Sequence, residues 1–177
     1  MKKIMMIGFI FLFVLTYAVI RSNEVLIPGE AIRFRVIANS DNEVDQNTKI
    51  LVRDRLQKQI SVDLKNTTDI KTSRKILTSN LDNYKNIVSD TLEKNNIRET
   101  FKINYGFNYF PEKKYKGVRY KEGKYESLVV TLGNGEGNNW WCVLFPPLCL
   151  LEAEENYDKE EVEYKSYVKE LIEKFFK

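Results

Sequence analysis

Chemistry in this chain would have to come from a few residues. Cys142 and Cys149 stand with six residues between them within NNWWCVLFPPLCLLE, Asn138 to Glu152. A catalytic thiol needs a base and an electropositive setting. The chain has no histidine, and apolar residues flank both cysteines. A metal site needs about four ligands, which two cysteines supply only with carboxylates or a second chain. A disulfide is the favoured reading, with two free buried cysteines as the remaining alternative. Closing a loop of roughly eight residues stabilises by about 2.5 kcal/mol in the chain-entropy model, and Pro146 and Pro147 stiffen the same loop.

Trp140 and Trp141 are neighbours, so on a strand they point to opposite faces of a sheet. Core packing accounts for both, and a partner-facing tryptophan is the sharper alternative, because tryptophan is enriched at binding hot spots. Gly133, Gly135 and Gly137 form G-x-G-x-G, but Asn138 stands where a dinucleotide fingerprint needs its last glycine, and no helix is expected after it. A flexible strand connector is the simpler expectation. Arg33, Arg35, Asp41, Asp45, Arg53 and Asp54 gather around a strand–helix junction. Paired carboxylates there could do acid–base work, while capping and helix-surface ion pairs explain them without chemistry. Nothing in the sequence calls for a cofactor or a metal.

The 28 basic residues include Lys2 and Lys3, which precede an apolar leader and leave 26 against 25 acidic ones. A near-neutral mixed surface without a basic–aromatic cluster argues against nucleic acid as a partner. The leader is apolar from Ile4 to Ile20, about 25 Å as a helix, near the lower limit for a membrane span. Its amino-terminal lysines predict that this end stays cytoplasmic while the rest is exported. Residues 1–22 therefore read as a hydrophobic helix that is a signal peptide, with a cleavage pattern at Thr16-Tyr17-Ala18, or a membrane anchor. Export places both cysteines where disulfides persist.

Residues 23–30 read as a linker, 31–152 as an exported domain and 153–177 as a carboxy-terminal amphipathic segment. Ile32, Phe34 and Val36 alternate with Arg33 and Arg35, which predicts a strand. A helix is expected from Asp41 to Asp63, with Ser40 and Glu43 at capping-box spacing, Asp41 as a rival cap, and Val44, Leu51, Val52, Leu56 and Ile60 at helical intervals. A polar connector and a second helix from Ser73 to Asn95 follow, with Leu77, Leu81, Tyr84, Val88 and Leu92 on one face. Strands are expected in ETFKINYGFNYF, on both sides of Glu122-Gly123, and in WWCVLF up to Pro146. A last helix is expected over Asp158 to Lys177. This order predicts an α+β fold, a mostly antiparallel sheet with helices packed on one face.

Three stretches together, RFRVIANSDNEVDQNTKILVRD (Arg33 to Asp54), YGFNYFPEKKY (Tyr105 to Tyr115) and GNNWWCVLFPPLC (Gly137 to Cys149), resemble the stage II sporulation protein R family, in order over most of Ile32 to Glu152. The resemblance implies a protein made in the forespore of an endospore-forming bacterium. It is exported to the space between the two membranes around the forespore. There it activates a membrane-embedded aspartic protease of the stage II sporulation protein GA type, which processes the mother-cell sigma-factor precursor. It implies a signal, not an enzyme, so no catalytic residue is carried over. Candidate contacts are Trp140, Trp141, Arg53, Asp54 and the loop from Asn134 to Asn139. Val129 stands where the family often carries arginine. The alternative is a membrane-anchored cell-wall hydrolase using Asp41, Asp45 or Glu152.

Overall fold

The computed structural model describes residues 5–13, 25–26, 28–115, 118–149 and 161–176. Along the chain lie α1 (5–13), β1 (Val25–Leu26), β2 (Ile32–Ile37), α2 (Glu43–Leu64), α3 (Ile70–Ser79), α4 (Leu81–Lys94) and β3 (Phe101–Phe110). Then come β4 (Lys113–Tyr115), β5 (Val118–Tyr120), β6 (Gly123–Leu132), β7 (Asn139–Phe145) and α5 (Glu161–Phe176). The chain adopts the expected α+β class.

The alternation in β2 is the organising feature. β2 is an inner strand of a four-stranded sheet ordered β3-β6-β2-β7. It runs parallel to β6 and antiparallel to β7, and β3 is antiparallel to β6. Parallel neighbours need a long connection, and the three helices between β2 and β3 form part of it. Ile32, Phe34 and Val36 turn to one face, where they pack with Leu128, Val130 and Leu132 against Val52, Leu56, Ile60 and Leu64 of α2, Leu77 of α3, and Tyr84, Val88 and Leu92 of α4. Arg33 and Arg35 turn to the other face. A second, smaller apolar cluster joins Val118 and Tyr120 of β5, Val143 of β7, Leu148, and Val168 and Leu171 of α5. A three-stranded sheet ordered β1-β5-β4 contributes to that side.

Several expectations shift in detail. The second predicted helix is two. Asn80 leaves helical geometry at φ −97°, ψ 7°, closing α3 through its N–H on the Ile76 carbonyl and opening α4. The break keeps the predicted stripe inward, because Leu77, Tyr84, Val88 and Leu92 stay buried on either side of it. α3 also starts inside the stretch read as a connector, since the Asp69 carboxylate accepts the Thr72 N–H at 2.9 Å and caps it. The cap of α2 is Asn42, neither Ser40 nor Asp41, and its Oδ1 accepts from the Asp45 N–H. Of the apolar residues predicted on that helix, Val44 and Leu51 are exposed. Leu51 lies about 100° around the helix from Val52, and Val44 sits in a first turn held by polar capping groups.

The helical residues 5–13 expose their large apolar side chains. Among the described residues, no helix is long and apolar enough to cross a membrane. The Thr16-Tyr17-Ala18 pattern and Glu152 lie outside the described residues.

Candidate functional site

The candidate residues converge at one corner of the sheet, where β7 begins. Two loops meet there. The segment Asn39 to Asn42 leaves β2, and the segment Gly133 to Asn138 joins β6 to β7. The Gly137 N–H donates to the Ala38 carbonyl at 3.0 Å and the Glu136 N–H to the Asn39 carbonyl at 3.1 Å. The Asn134 N–H donates to Asn39 Oδ1 at 2.9 Å, and the Asn138 N–H donates to the Asp41 carboxylate. Asp45 Oδ2 accepts from Asn39 Nδ2, Ser40 Oγ and Asn42 Nδ2 at 2.7–3.1 Å. The loop expected to be a flexible connector is thus bonded along its length.

The glycines make this closeness feasible. Gly133 has φ +53° and Gly135 has φ +69°, a region that side-chain-bearing residues seldom adopt. At Gly137 a Cβ would fall on the Ser40 backbone, 2.5 Å from its carbonyl carbon. The G-x-G-x-G spacing therefore serves a loop–loop contact. Asp41 and Asp45 are occupied in the same contact, as capping and loop-holding groups.

The tryptophans straddle the strand. Trp140 faces the helices, edge-on to Phe34 with ring centroids 5.6 Å apart, and the Arg53 guanidinium lies 5.3 Å from its ring centre. Arg53 also pairs with Asp54 at 2.6 Å, at an exposed position. Trp141 faces the other side, 5.3 Å from Phe110 and 6.0 Å from Tyr120, with Lys113 Nζ 5.0 Å from its ring. Both rings stay half-buried. Each combines a core contact with a cation at its rim, so core packing and surface presentation coexist in both. Asn134 and Asn139 are exposed at the two ends of the loop, with Asn139 opposite Ile37 in the ladder.

Two lysines belong to this corner that the sequence reading passed over. Lys49 is 7% exposed, and its Nζ donates to the Asn138 carbonyl at 3.1 Å and to Gln46 Oε1. Burial pushes its ammonium below the usual range, and the charges of Arg53 and Lys113 push it the same way against Asp41. Burial likewise lowers Lys113. Helical spacing placed Lys49 on α2 but could not show that Asn138, far along the chain, closes over it.

Beneath Trp141 lies Arg33, fully buried. Its guanidinium stacks 3.4 Å from the Tyr125 ring centre, with Phe110, Tyr120 and Trp141 at 5.1–5.9 Å. Among the described residues its N–H groups find no acceptor, and burial lowers its pKa. Aromatic faces offset part of that cost through cation–π attraction. Val129 is buried opposite Arg35 in the parallel ladder.

The structure pairs Cys142 with Cys149 in a disulfide, with Cα atoms 5.7 Å apart, across a turn that includes a cis Phe145–Pro146 bond. The Cys149 carbonyl accepts from Gln57 Nε2 at 2.6 Å in the interior, which fastens the closed loop to α2. Among the described residues, no group of three or more His, Cys, Asp or Glu could hold a metal ion.

Residues 28–155 match the family model described as stage II sporulation protein R. This chain belongs to that family. Stage II sporulation protein R of Bacillus subtilis (strain 168) is 40% identical over 153 residues, covering 86% of this chain and 68% of the relative. No solved structure matches. The family region includes the loop pair, the tryptophans and the disulfide, so the corner described above is family territory and not an appendage. α5 and residues 1–27 fall outside it.

Proposed function

We propose that this sporulation protein is exported from the forespore into the intermembrane space, with its amino-terminal segment contacting the membrane. There it acts as the intercompartmental signal that activates a membrane-embedded aspartic protease of the stage II sporulation protein GA type. That protease then processes the mother-cell sigma-factor precursor. The protein works by binding and has no turnover of its own. The observation that carries this reading is family membership over residues 28–155.

The corner at the start of β7 is compatible with such a role. It presents two half-buried tryptophans, the exposed Arg53–Asp54 pair and a rigidly held loop. Preorganised aromatic anchors with a charged rim are how protein interfaces concentrate binding energy. The carboxylates of the alternative hydrolase reading, Asp41 and Asp45, are instead engaged in holding the loop.

The test is coexpression of protease and sigma-factor precursor with and without this protein. Processing should require it, and processing that proceeds equally well in its absence refutes the reading. Trp140→Ala and Arg53→Glu proteins that still fold should activate less well than the parent.

A further inference from the structure

β1 is only two residues long, yet it fixes where the leader joins the domain. Val25 and Leu26 pair in parallel with Val118 and Arg119 of β5, the middle strand of the sheet ordered β1-β5-β4. The apolar leader ends at Ile20. Five residues of chain lead from there to Val25, at most about 18 Å of extended backbone. A leader in contact with a membrane therefore holds this small sheet close to the lipid headgroups.

One face of the small sheet is covered and carries no part of the argument: Val118 and Tyr120 pack against Val168 and Leu171 of α5. Alternation turns Arg119 to the opposite face, and Lys114 lies directly across from it in the β4–β5 ladder. Lys114 is exposed, as are Lys121 and Lys124 just beyond β5. Lys113 turns the other way, onto Trp141, and is not counted. Two carboxylates lie close by. Glu112 pairs with Arg119 at 3.1 Å, and Glu122 accepts from the Tyr109 hydroxyl at 3.1 Å. Four cations against these two acids leave a positive excess. The rest of the chain, Lys2 and Lys3 aside, has 22 basic against 23 acidic residues, so the excess is local to the strands next to the leader.

We propose that the open face of β4 and β5, with the turn into β6, docks on an anionic phospholipid surface. Lys114, Arg119, Lys121 and Lys124 meet the headgroup phosphates there. Each lysine near such a surface favours the docked state by about fivefold, which is weak for a freely diffusing domain. The leader makes the docking intramolecular, so a modest attraction suffices. Docking then sets how the domain stands relative to the membrane. The proposal rests on the membrane contact of the amino-terminal segment, but not on the identity of the protease.

The test uses the full-length chain, labelled with 15N, in lipid nanodiscs of two compositions. One is phosphatidylcholine alone, and the other contains about one-third phosphatidylglycerol. Both carry a trace of lipid with a gadolinium chelate on its headgroup, which broadens nearby amide signals. The amides of Lys114, Arg119 and Lys121 should broaden at least about threefold more in the anionic discs, and the difference should vanish at about 1 M salt. Lys121→Gln and Lys124→Gln should each lower the docked-to-undocked ratio about fivefold. Lys75→Gln, on an exposed side chain of α3, should leave it unchanged. Unchanged amide shifts elsewhere in these variants show that folding is not the cause. Equal broadening in the two discs would overturn the proposal. So would anion-dependent broadening centred on α2 or α4, or an equal loss from Lys75→Gln. Absent broadening at residues 5–13 would refute the leader's own contact, while the sheet amides in the same spectra still decide the docking. Docking without protease activation would refute the proposed signalling alone, and activation without docking would refute this proposal alone.

Discussion

Gly137→Ala is the sharpest probe of how the corner is built. The new methyl group would lie 2.5 Å from the Ser40 carbonyl carbon and 2.9 Å from its Cα, and backbone cannot swing aside as a side-chain tip can. The two loops must separate. Separation strains or breaks the Gly137–Ala38 and Glu136–Asn39 backbone bonds and the Asn138–Asp41 bond. At about 1 kcal/mol net for each bond, the loss is about 3 kcal/mol. For a domain of this size that is a fall of about 6–12 °C in Tm. Gly106→Ala is the matched control, since a Cβ there meets nothing within 4 Å. Glycine inside a strand costs roughly 0.5–1 kcal/mol relative to alanine, so this change should be neutral or slightly stabilising. Both are read by urea titration and thermal melting. Tryptophan emission is the natural signal, because the only two tryptophans of the chain adjoin the loop. A Gly137→Ala protein that melts within about 2 °C of the parent would refute the reasoning, since the required loop movement would then be nearly free.

Three other outcomes follow from named contacts. Replacing both Cys142 and Cys149 by serine should cost about 2.5 kcal/mol for a loop of roughly eight residues; the double variant's urea midpoint should then ignore reductant, whereas the parent's should fall on reduction. Glu126 is held below its usual pKa chiefly by two hydrogen bonds from Arg74, helped by one from Tyr105. Its contribution is therefore present above the unfolded carboxylate value, about pH 4.3, and is lost as pH falls through the lower folded value. Glu126→Gln should flatten the stability–pH curve in that acid window, and an unchanged slope would contradict the assignment. Arg53→Ala should cost about 0.5–1 kcal/mol through the lost Trp140 stack and shift tryptophan emission, while Asp54→Asn, at an exposed ion pair, should cost less than about 0.5 kcal/mol.

Much of the architecture was legible because local patterns record it. The alternation of Ile32, Phe34 and Val36 identifies the strand and its buried face, and the stripe of Leu77, Tyr84, Val88 and Leu92 survives even though Asn80 divides the helix. What misled were positions where neighbours in space decide. Gly133, Gly135 and Gly137 suggested looseness, because three glycines in five residues lower the local cost of bending. In the structure Gly137 admits the Ser40 backbone, Gly133 the Asn39 side chain, both over ninety residues away in sequence, and Gly133 and Gly135 take positive φ. Val44 and Leu51 matched helical spacing but lie off the packed surface, since amphipathic periodicity does not specify how far a sheet extends beneath a helix.

The sequence by itself determined the function classes open to this protein. The absence of histidine removed most acid–base, nucleophilic and metal chemistry, and the long motif around Trp140 to Cys149 carried the family resemblance. Those are statements about which atoms exist, and composition is sufficient for them. Only the tertiary structure decided where those atoms meet. It put the two tryptophans on opposite faces of an outer strand, set Arg53 and Lys113 against them, brought Asn138 over Lys49, and buried Arg33 among four aromatic rings. The reason is physical: strand order and loop docking are fixed by contacts between residues remote in sequence, and no local pattern encodes which remote residue will close over a given side chain.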